Sequence, residues 1–320
     1  MTATITPFEF AASLPDQIDH ARKASRSLER LPEKDRIENI VVLGMGDSGV
    51  AGDVLDAVAS PFVPVPITVV KNYEVPAFVG EGSLVFAISL SGETEEVIDA
   101  ATDAAVQGAK IVVVSSGGRL CELAGSWGAT VVRVPKPHDG DSAAIGNLAI
   151  PPIAVLEDIG LFPGAGQWID LAVEQIQNRL VDLRQTDNIA QQLAAQLRDK
   201  LIVVHGGGSL GTAAARRWKT QINVTAALPA FWSSHPELSH NELAGWGGDN
   251  EWTKRNVEIV AVRHDSEHPQ VARRFDVVNE QLTSNVHGVH QVRAEGEGEL
   301  AQLFDLFLVG DFVALHLAQR

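Results

Sequence analysis

The sequence predicts an α/β protein built from two related halves, each a parallel β-sheet with helices on both faces in a three-layer, flavodoxin-like arrangement. Two observations predict this architecture. Short runs of Val, Ile and Leu alternate with longer helical stretches, and such continuous runs are typical of strands buried on both faces of a parallel sheet. A pattern of strand, glycine turn and helix near residue 40 also returns near residue 203.

The first predicted half covers residues 1–160. After an opening helical stretch at Pro15–Leu31, apolar runs are separated by glycine turns and helical stretches, which is typical of strands joined by helices. The predicted strands are Ile40–Leu43, Ile67–Val70, Leu84–Ile88, Ile111–Val114 and Thr130–Val134, and the helices between and after them are Glu95–Gln107, Leu120–Trp127 and residues near 143–159.

The second predicted half covers residues 161–320 and begins at a cluster of helix breakers, Phe162–Gly166. A long helical stretch, Trp168–Arg198, follows. The segment Val203–Gly211 can then be laid over Val41–Gly49, and the order strand, helix, strand repeats after it. Those later elements are Val257–Val262, Pro269–Leu282 and Val289–Val292.

Composition excludes several classes of protein. A length of 320 residues suits two domains, and a net charge of −16 without a basic cluster disfavours binding to nucleic acid. The apolar stretch Leu300–Ala318 contains Gln302, Asp305 and Asp311, which predicts a buried or dimer-facing helix and no membrane span. The single cysteine, Cys121, and an N-terminus without a signal-peptide pattern predict the cytoplasm.

The glycine turn Gly44–Gly49 satisfies the pattern GxGxxG after a strand, which is typical of dinucleotide binding. That fingerprint also needs an acidic residue at the end of the next strand, where this chain has Lys71 and Asn72. Lys71 would suit a 2'-phosphate instead. The alternative interpretation is that the glycines only allow close packing of strand and helix.

Three hydroxyl side chains lie between a predicted strand and the helix that follows it: Ser89, Ser91 and Thr94. The backbone N–H groups at a helix start are unpaired and carry partial positive charge, so hydroxyls and amides can converge there on a phosphate. The alternative is that Ser91 or Thr94 caps the helix. Three hydroxyls in six residues, at the carboxyl end of a strand, favour a phosphate site.

Taken with these two loops, the segment His235–Trp246 makes the chain resemble the bifunctional phosphoglucose/phosphomannose isomerases of the sugar isomerase (SIS) superfamily. The resemblance implies two SIS-type subdomains and the interconversion of glucose 6-phosphate or mannose 6-phosphate with fructose 6-phosphate, with no metal or organic cofactor. It also implies a homodimer with the site at its interface. The residues that would hold the phosphate are Ser89, Ser91 and Thr94, with Gly46 and Ser48 of the glycine turn.

In that family His240 would transfer a proton to the ring oxygen during ring opening, a task that suits histidine because its ordinary pKa lies near neutrality. The chain departs from the family pattern at the base that moves a proton between C1 and C2. Val224 stands where the family carries a glutamate, and Ser142 stands where it carries an arginine, beside Asp139 and Asp141. Glu237 or Glu242 is the candidate replacement for the base.

Because the family's set of catalytic residues is incomplete in this chain, the sequence leaves two functions open. One is an isomerase, and the other is a non-catalytic phosphosugar-binding or regulatory protein. A metal site is disfavoured, because the candidate histidines lack metal-ligand spacing and are predicted to be surface or capping residues. These are His235, His240, His264, His268, His287 and His290. Trp232, Trp246 and Trp252 either line a sugar site or pack in the core or at an interface.

Overall fold

A computed structural model of the protein describes residues 5–26, 28–136, 144–246, 248 and 250–319. The chain forms two compact units, Ser13–Asp170 and Leu171–Arg320 together with Met1–Ala12. The predicted domain division into residues 1–160 and 161–320 stays a prediction.

The strands are β1 Asn39–Leu43, β2 Ile67–Val70, β3 Ser83–Ile88, β4 Lys110–Ser115, β5 Thr130–Arg133, β6 Leu201–Gly207, β7 Ala230–His235, β8 Val257–Arg263 and β9 Gly288–Arg293. The helices are α1 Pro7–Ala12, α2 Leu14–Ala24, α3 Gly46–Ala59, α4 Glu95–Val106, α5 Gly118–Trp127, α6 Ile145–Asp158, α7 Ala165–Leu183, α8 Ile189–Leu197, α9 Gly208–Thr225, α10 Glu242–Trp246, α11 Glu251–Asn256, α12 Pro269–Leu282 and α13 Glu299–Ala318.

The unit Ser13–Asp170 contains a parallel sheet in the order β2-β1-β3-β4-β5. Successive residues of β1 face opposite sides of the sheet: Val41 packs with α4 and α5, while Val42 lies against Gly52 of α3. Three alanines on one side of α4, at positions 100, 101 and 104, let that helix lie close to the sheet. Both faces are therefore covered, which explains why the strands read as continuous apolar runs.

The unit that begins at Leu171 contains a second parallel sheet, in the order β7-β6-β8-β9. This order repeats β2-β1-β3-β4 of the first unit, with β6 in the place of β1. The prediction of two parallel-sheet subdomains related by a pseudo-repeat is confirmed.

Helix α13 is long and apolar enough to cross a membrane by length and composition alone, but 94% of its most apolar stretch is buried. It packs within its own unit against α8 and α9. Two of its acidic residues make buried ion pairs, Asp305 with Arg179 at 2.7 Å and Asp311 with Arg217 at 2.8 Å. Among the described residues α13 therefore has the surroundings of a core helix.

Two predicted helices have different bounds in the structure. The stretch Trp168–Arg198 is two helices, because Asp187 adopts a positive φ of 61° and Asn188 caps α8 by accepting hydrogen bonds from the amides of Ala190 and Gln191. The opening helical stretch ends at Ala24 rather than at Leu31. Strand β7 was not predicted from the sequence.

Candidate functional site

The two predicted phosphate-binding loops leave neighbouring strands of the first unit. In an open sheet of order 2-1-3-4-5 the topological switch point lies between β1 and β3, and ligands bind there, outside the carboxyl ends of the strands. The glycine turn follows β1, and the loop Ser89–Thr94 follows β3. The sheet topology therefore brings Gly46 and Ser48 to the same edge as the three hydroxyl residues.

The glycine turn is shaped by backbone packing. A Cβ added at Gly44 would lie 2.6 Å from the backbone of Ser48, and one at Gly49 would lie 2.8 Å from the carbonyl oxygen of Gly44. Gly46 begins α3 with a φ of +53°, a conformation that favours glycine. The packing interpretation thus accounts for the glycines, and Ser48 is buried behind them with 8% of its surface exposed.

Lys71, the residue that would meet a 2'-phosphate, is paired within the protein. Its Nζ lies 2.5 Å from Oδ2 of Asp53, which is buried on α3, and a Cβ added at Gly49 would lie 2.9 Å from its Cε. This ion pair, with the absence of an acidic residue at the end of β2, disfavours the dinucleotide interpretation.

The three hydroxyls of the loop Ser89–Thr94 have different surroundings. Ser89 is buried, and its Oγ lies 2.8 Å from Oγ1 of Thr94 and accepts a hydrogen bond from the amide of Gly92 at 3.1 Å. Ser91 is exposed and accepts from the amide of Glu93 at 3.1 Å. Ser89 therefore holds the turn, while Ser91 and the half-buried Thr94 stand at its surface.

Thr94 occupies the N-cap position of α4, yet within the described chain its side chain makes no capping hydrogen bond to that helix. The simple capping interpretation therefore does not explain Thr94. The amides of the first turn of α4 remain suited to an anionic group. The negative charges of Glu95 and Glu96 oppose an anion here, and the same charges raise the pKa of the nearby exposed Tyr73.

A second loop supports the hydroxyl loop from behind, and sequence reasoning missed it. Gly92 has a φ of +73°, and a Cβ added there would lie 1.9 Å from the carbonyl oxygen of Gly117. Ser116 donates through its hydroxyl to the carbonyl of Leu90 at 2.7 Å, and Glu93 accepts from the amide of Arg119 at 3.0 Å. The available signal was the run of two serines and two glycines, 115–118, directly after a strand.

The unit that begins at Leu171 carries the predicted catalytic residues. Strand β7 ends at His235, a 3₁₀ turn spans Glu237–His240, and α10 follows. His240 is exposed, and Glu237 is exposed and accepts a hydrogen bond from Nδ2 of Asn241 at 3.0 Å. The loop thus presents one histidine and one carboxylate to solvent within the described protein.

Glu242 is held from several sides. Its Oε1 lies 2.8 Å from Nε2 of His205 and accepts from the indole N–H of Trp246 at 2.9 Å. Burial raises the pKa of Glu242, but hydrogen bonds from His205, Ser233 and Trp246 and the charge of His205 outweigh burial and lower that pKa to about 2. Glu242 is therefore a fixed carboxylate and a weak base at neutral pH.

Two histidines differ from the prediction that they are surface or capping residues. His235, the last residue of β7, is buried against the ring of Phe275 on α12. His264, directly after β8, is buried with its Nε2 at 2.9 Å from the carbonyl oxygen of Gly207 at the end of β6. Both contacts are made by tertiary packing, which spacing along the chain does not reveal. His268 does cap α12, accepting from the amide of Gln270. Within the described residues no cluster of His, Cys, Asp and Glu could hold a metal ion.

Val224, the position of the expected base, lies in the last turn of α9 with 65% of its surface exposed. Trp232 packs under the guanidinium of Arg216, 4.6 Å from the ring centre, and Trp246 lines a cavity of about 320 Å³ together with Leu243 and Leu282. The predicted departures at Ser142, Asp139 and Asp141 lie outside the described residues.

Comparisons with known proteins identify the family of the chain. Residues 186–320 match the family model described as the bacterial phospho-glucose isomerase C-terminal SIS domain, and residues 36–123 match the SIS domain. A bifunctional phosphoglucose/phosphomannose isomerase of Caldicellulosiruptor bescii is 31% identical over 97% of this chain and 92% of its own length. The chain belongs to the bifunctional phosphoglucose/phosphomannose isomerase family.

Relatives with other names share much of the sequence or the fold. A D-glucosamine-6-phosphate 4-epimerase of Sulfolobus acidocaldarius is 28% identical over 91% of this chain and 86% of its own length. The C-terminal domain of glucosamine-fructose-6-phosphate aminotransferase from Francisella tularensis superposes with a TM-score of 0.78 at 15% identity, covering 99% of this chain and 97% of that domain. The structural match shows the SIS fold.

Proposed function

We propose that the protein is a sugar-phosphate isomerase of the aldose-ketose type, which interconverts fructose 6-phosphate with glucose 6-phosphate or mannose 6-phosphate. The observation that carries the proposal is the hydroxyl loop at the β1/β3 switch point, where Ser91 and Thr94 flank the first turn of α4 in a chain that belongs to a family of isomerases. No metal or organic cofactor is needed for this chemistry.

The proposed phosphate site uses hydroxyls and amides rather than cations. Ser91, Thr94 and the amides at the start of α4 bind the phosphate oxygens, while Ser89 and Gly46 keep the two loops in shape and Ser48 supports the glycine turn from inside. Such a site positions the sugar end of the ligand without taking part in proton transfer.

Two proton transfers remain for the loop after β7. His240 is exposed, and histidine is the side chain that most often transfers protons in enzymes, so we assign it the transfer to the ring oxygen that opens the sugar. Of the two candidate bases, Glu242 is held by three hydrogen-bond donors and its pKa is lowered to about 2. The exposed Glu237, with the side chain of Asn241 as its partner, is the better base candidate.

Val224 favours the second function, a phosphosugar-binding protein without catalysis, because valine cannot abstract a proton. Placing a glutamate at position 224 tests between the two candidate functions. Val224 is 65% exposed, so Val224→Glu buries no charge, and we expect turnover to rise by roughly 10² or more if the position faces the substrate carbons. Val181→Glu, at another exposed valine of the same unit, is the matched control. Equal rates in the two variants would count against the assigned position.

The direct test of the isomerase is a coupled assay with fructose 6-phosphate, glucose 6-phosphate and mannose 6-phosphate, extended to glucosamine 6-phosphate because one relative is named as an epimerase of that sugar. Wild type should turn over at least one of them, and His240→Ala should lose about 10² in rate. His20→Ala, at an exposed histidine of α2, should keep the wild-type rate. Wild-type turnover no faster than that of His240→Ala would overturn the proposal.

Binding is tested separately by thermal unfolding. A sugar phosphate at a hundredfold its dissociation constant should add about 2.7 kcal/mol to the free energy of unfolding. We expect Ser91→Ala to lose most of this gain and Ser126→Ala, at an exposed serine of α5, to keep it. Absence of any gain with every sugar phosphate in wild type would contradict both the isomerase and the binding function.

We also propose a homodimer that completes the site at its interface, in the cytoplasm. The dimer follows from the resemblance to the family, and the cellular location from the single cysteine, which cannot form an internal disulfide.

A further inference from the structure

The loop that carries His240 is anchored on both sides by buried histidines. On one side, Nδ1 of His235 lies 3.3 Å from the hydroxyl of Ser239, the residue before His240. On the other side, Glu242 binds Nε2 of His205 at 2.8 Å, two residues after His240. The exposed catalytic candidate therefore sits between two neighbours that are fixed to the sheet.

His205 has no counterpart in the first half of the chain. It lies on β6, an inner strand of its sheet, with 0% of its surface exposed, at the position that Leu43 occupies on β1. A buried polar side chain costs free energy unless it is hydrogen-bonded, and Nδ1 of His205 has no partner among the described residues. A leucine fits the equivalent position of the repeat, so packing alone does not require histidine here.

Among the described residues the ring of His205 forms its hydrogen bond with the carboxylate of Glu242, at the start of α10. The same oxygen, Oε1, accepts from the indole N–H of Trp246 at the end of α10. One carboxylate therefore ties both ends of this short helix to β6. A helix of five residues has little stability of its own, so its position depends on such contacts.

We propose that His205 is a positioning residue: through Glu242 it fixes α10, and with it the turn that presents His240. The effect of His205 on turnover rests on the proposed function, whereas its effect on the order of the loop does not. Loss of the N–H donor would release Glu242 and let the turn move, which reduces the fraction of molecules with His240 in place for proton transfer. Phosphate binding in the other unit would be unaffected.

The test is hydrogen exchange of the ligand-free protein, combined with steady-state kinetics. His205→Leu introduces the residue found at the equivalent position of the repeat, and His205→Gln keeps an N–H donor. His264→Leu is the control, because it removes another buried histidine, one that is hydrogen-bonded to the backbone of Gly207. We expect amides of residues 239–246 to exchange on the order of tenfold faster in His205→Leu, while amides of β8 keep wild-type protection. His205→Gln should restore most of the loop protection, and His264→Leu should not release the loop.

In the kinetic arm, His205→Leu should lower kcat on the order of tenfold with the KM for fructose 6-phosphate unchanged, and His205→Gln should recover kcat. Wild-type loop protection in His205→Leu overturns the inference. If that variant does not fold, Glu242→Ala removes the partner instead and should release the same residues; unchanged protection there also overturns it. A wild type without turnover contradicts the proposed function alone, because the exchange experiment still decides the role of His205.

Discussion

His235 lies buried at the end of β7, and its protonation is linked to folding. Burial, together with the charges of His205, Arg263 and Arg274, lowers the pKa of His235 to about 4, against an ordinary value of 6.5. The folded protein thus keeps His235 uncharged at a pH where the unfolded chain already binds the proton. Stability from this residue is complete above pH 6.5 and falls as the pH drops from about 6.5 to about 4.

We expect this linkage to cost about 2 kcal/mol of unfolding free energy between pH 7 and pH 5. Urea unfolding at the two pH values measures it. His235→Gln should show a smaller loss than wild type over the same interval, and His20→Gln, at an exposed position, should show the wild-type loss. The stability that comes from the lowered pKa of Glu242 is lost at lower pH, between about 4.5 and about 2, so it does not obscure the comparison. An equal loss in wild type and His235→Gln would contradict the assignment.

Some functional side chains were predictable from the sequence and others were not. Ser89, Ser91 and Thr94 lie within six residues of each other, so their local density was visible. His205 was not, because it meets Glu242 only through the pairing of β6 with β7 and the turn that follows, across 37 residues. Spacing along a chain does not reveal contacts that are made by tertiary packing.

At the scale of elements, the hydroxyl loop depends on one glycine. Gly92 has a φ of +73°, and a Cβ added there would lie 1.9 Å from the carbonyl oxygen of Gly117. The substitution Gly92→Ala must therefore displace either its own loop or the loop 115–118. We expect a loss of about 2 kcal/mol or more in unfolding free energy and the loss of sugar-phosphate binding. Calorimetric unfolding with and without fructose 6-phosphate measures both.

Gly125→Ala is the control for that prediction. Gly125 lies in α5, and a Cβ added there meets no described atom within 4 Å. Since alanine favours the helix over glycine by about 1 kcal/mol, this variant should be at least as stable as wild type and bind normally. A Gly92→Ala protein that binds as well as Gly125→Ala would contradict the proposed role of the loop.

The elements that the sequence predicted well are those whose surroundings are uniform. Strands β1, β3 and β4 are buried on both faces and read as unbroken apolar runs. Strand β7 is an edge strand in which Ser233 and Ser234 interrupt the apolar pattern, so it was missed. The break between α7 and α8 depends on the cap at Asn188, a local feature inside an otherwise helical pattern.

At the scale of the whole molecule, the repeat seen in the sequence reflects two sheets of the same strand order, while their chemistry differs. The hydroxyl loop follows β3 in the first unit. In the second unit β8 ends at Arg263, whose guanidinium binds Glu267 at 2.8 Å and lies over the ring of Phe275. The second unit has the same fold as the first, but at the end of β8, where the first unit has its hydroxyl loop, it has the ion pair between Arg263 and Glu267.

The proposed homodimer makes a prediction about mixed variants. If Ser91 of one copy and His240 of its partner serve the same site, Ser91→Ala and His240→Ala proteins are each impaired alone. After mixed refolding, half of the dimers carry both variants and each has one intact site, so about a quarter of wild-type activity should return. No recovery, with mixed dimers shown by mass spectrometry, would contradict a site shared between copies.

The most direct measurement for the isomerase is a time course of fructose 6-phosphate in D₂O, followed by nuclear magnetic resonance. Aldose-ketose isomerisation moves a proton between C1 and C2, so wild type should produce glucose 6-phosphate or mannose 6-phosphate and introduce deuterium at those carbons, well above the rate of His240→Ala. Fructose 6-phosphate that stays unlabelled and unconverted with wild type, as it does with His240→Ala, would contradict the account.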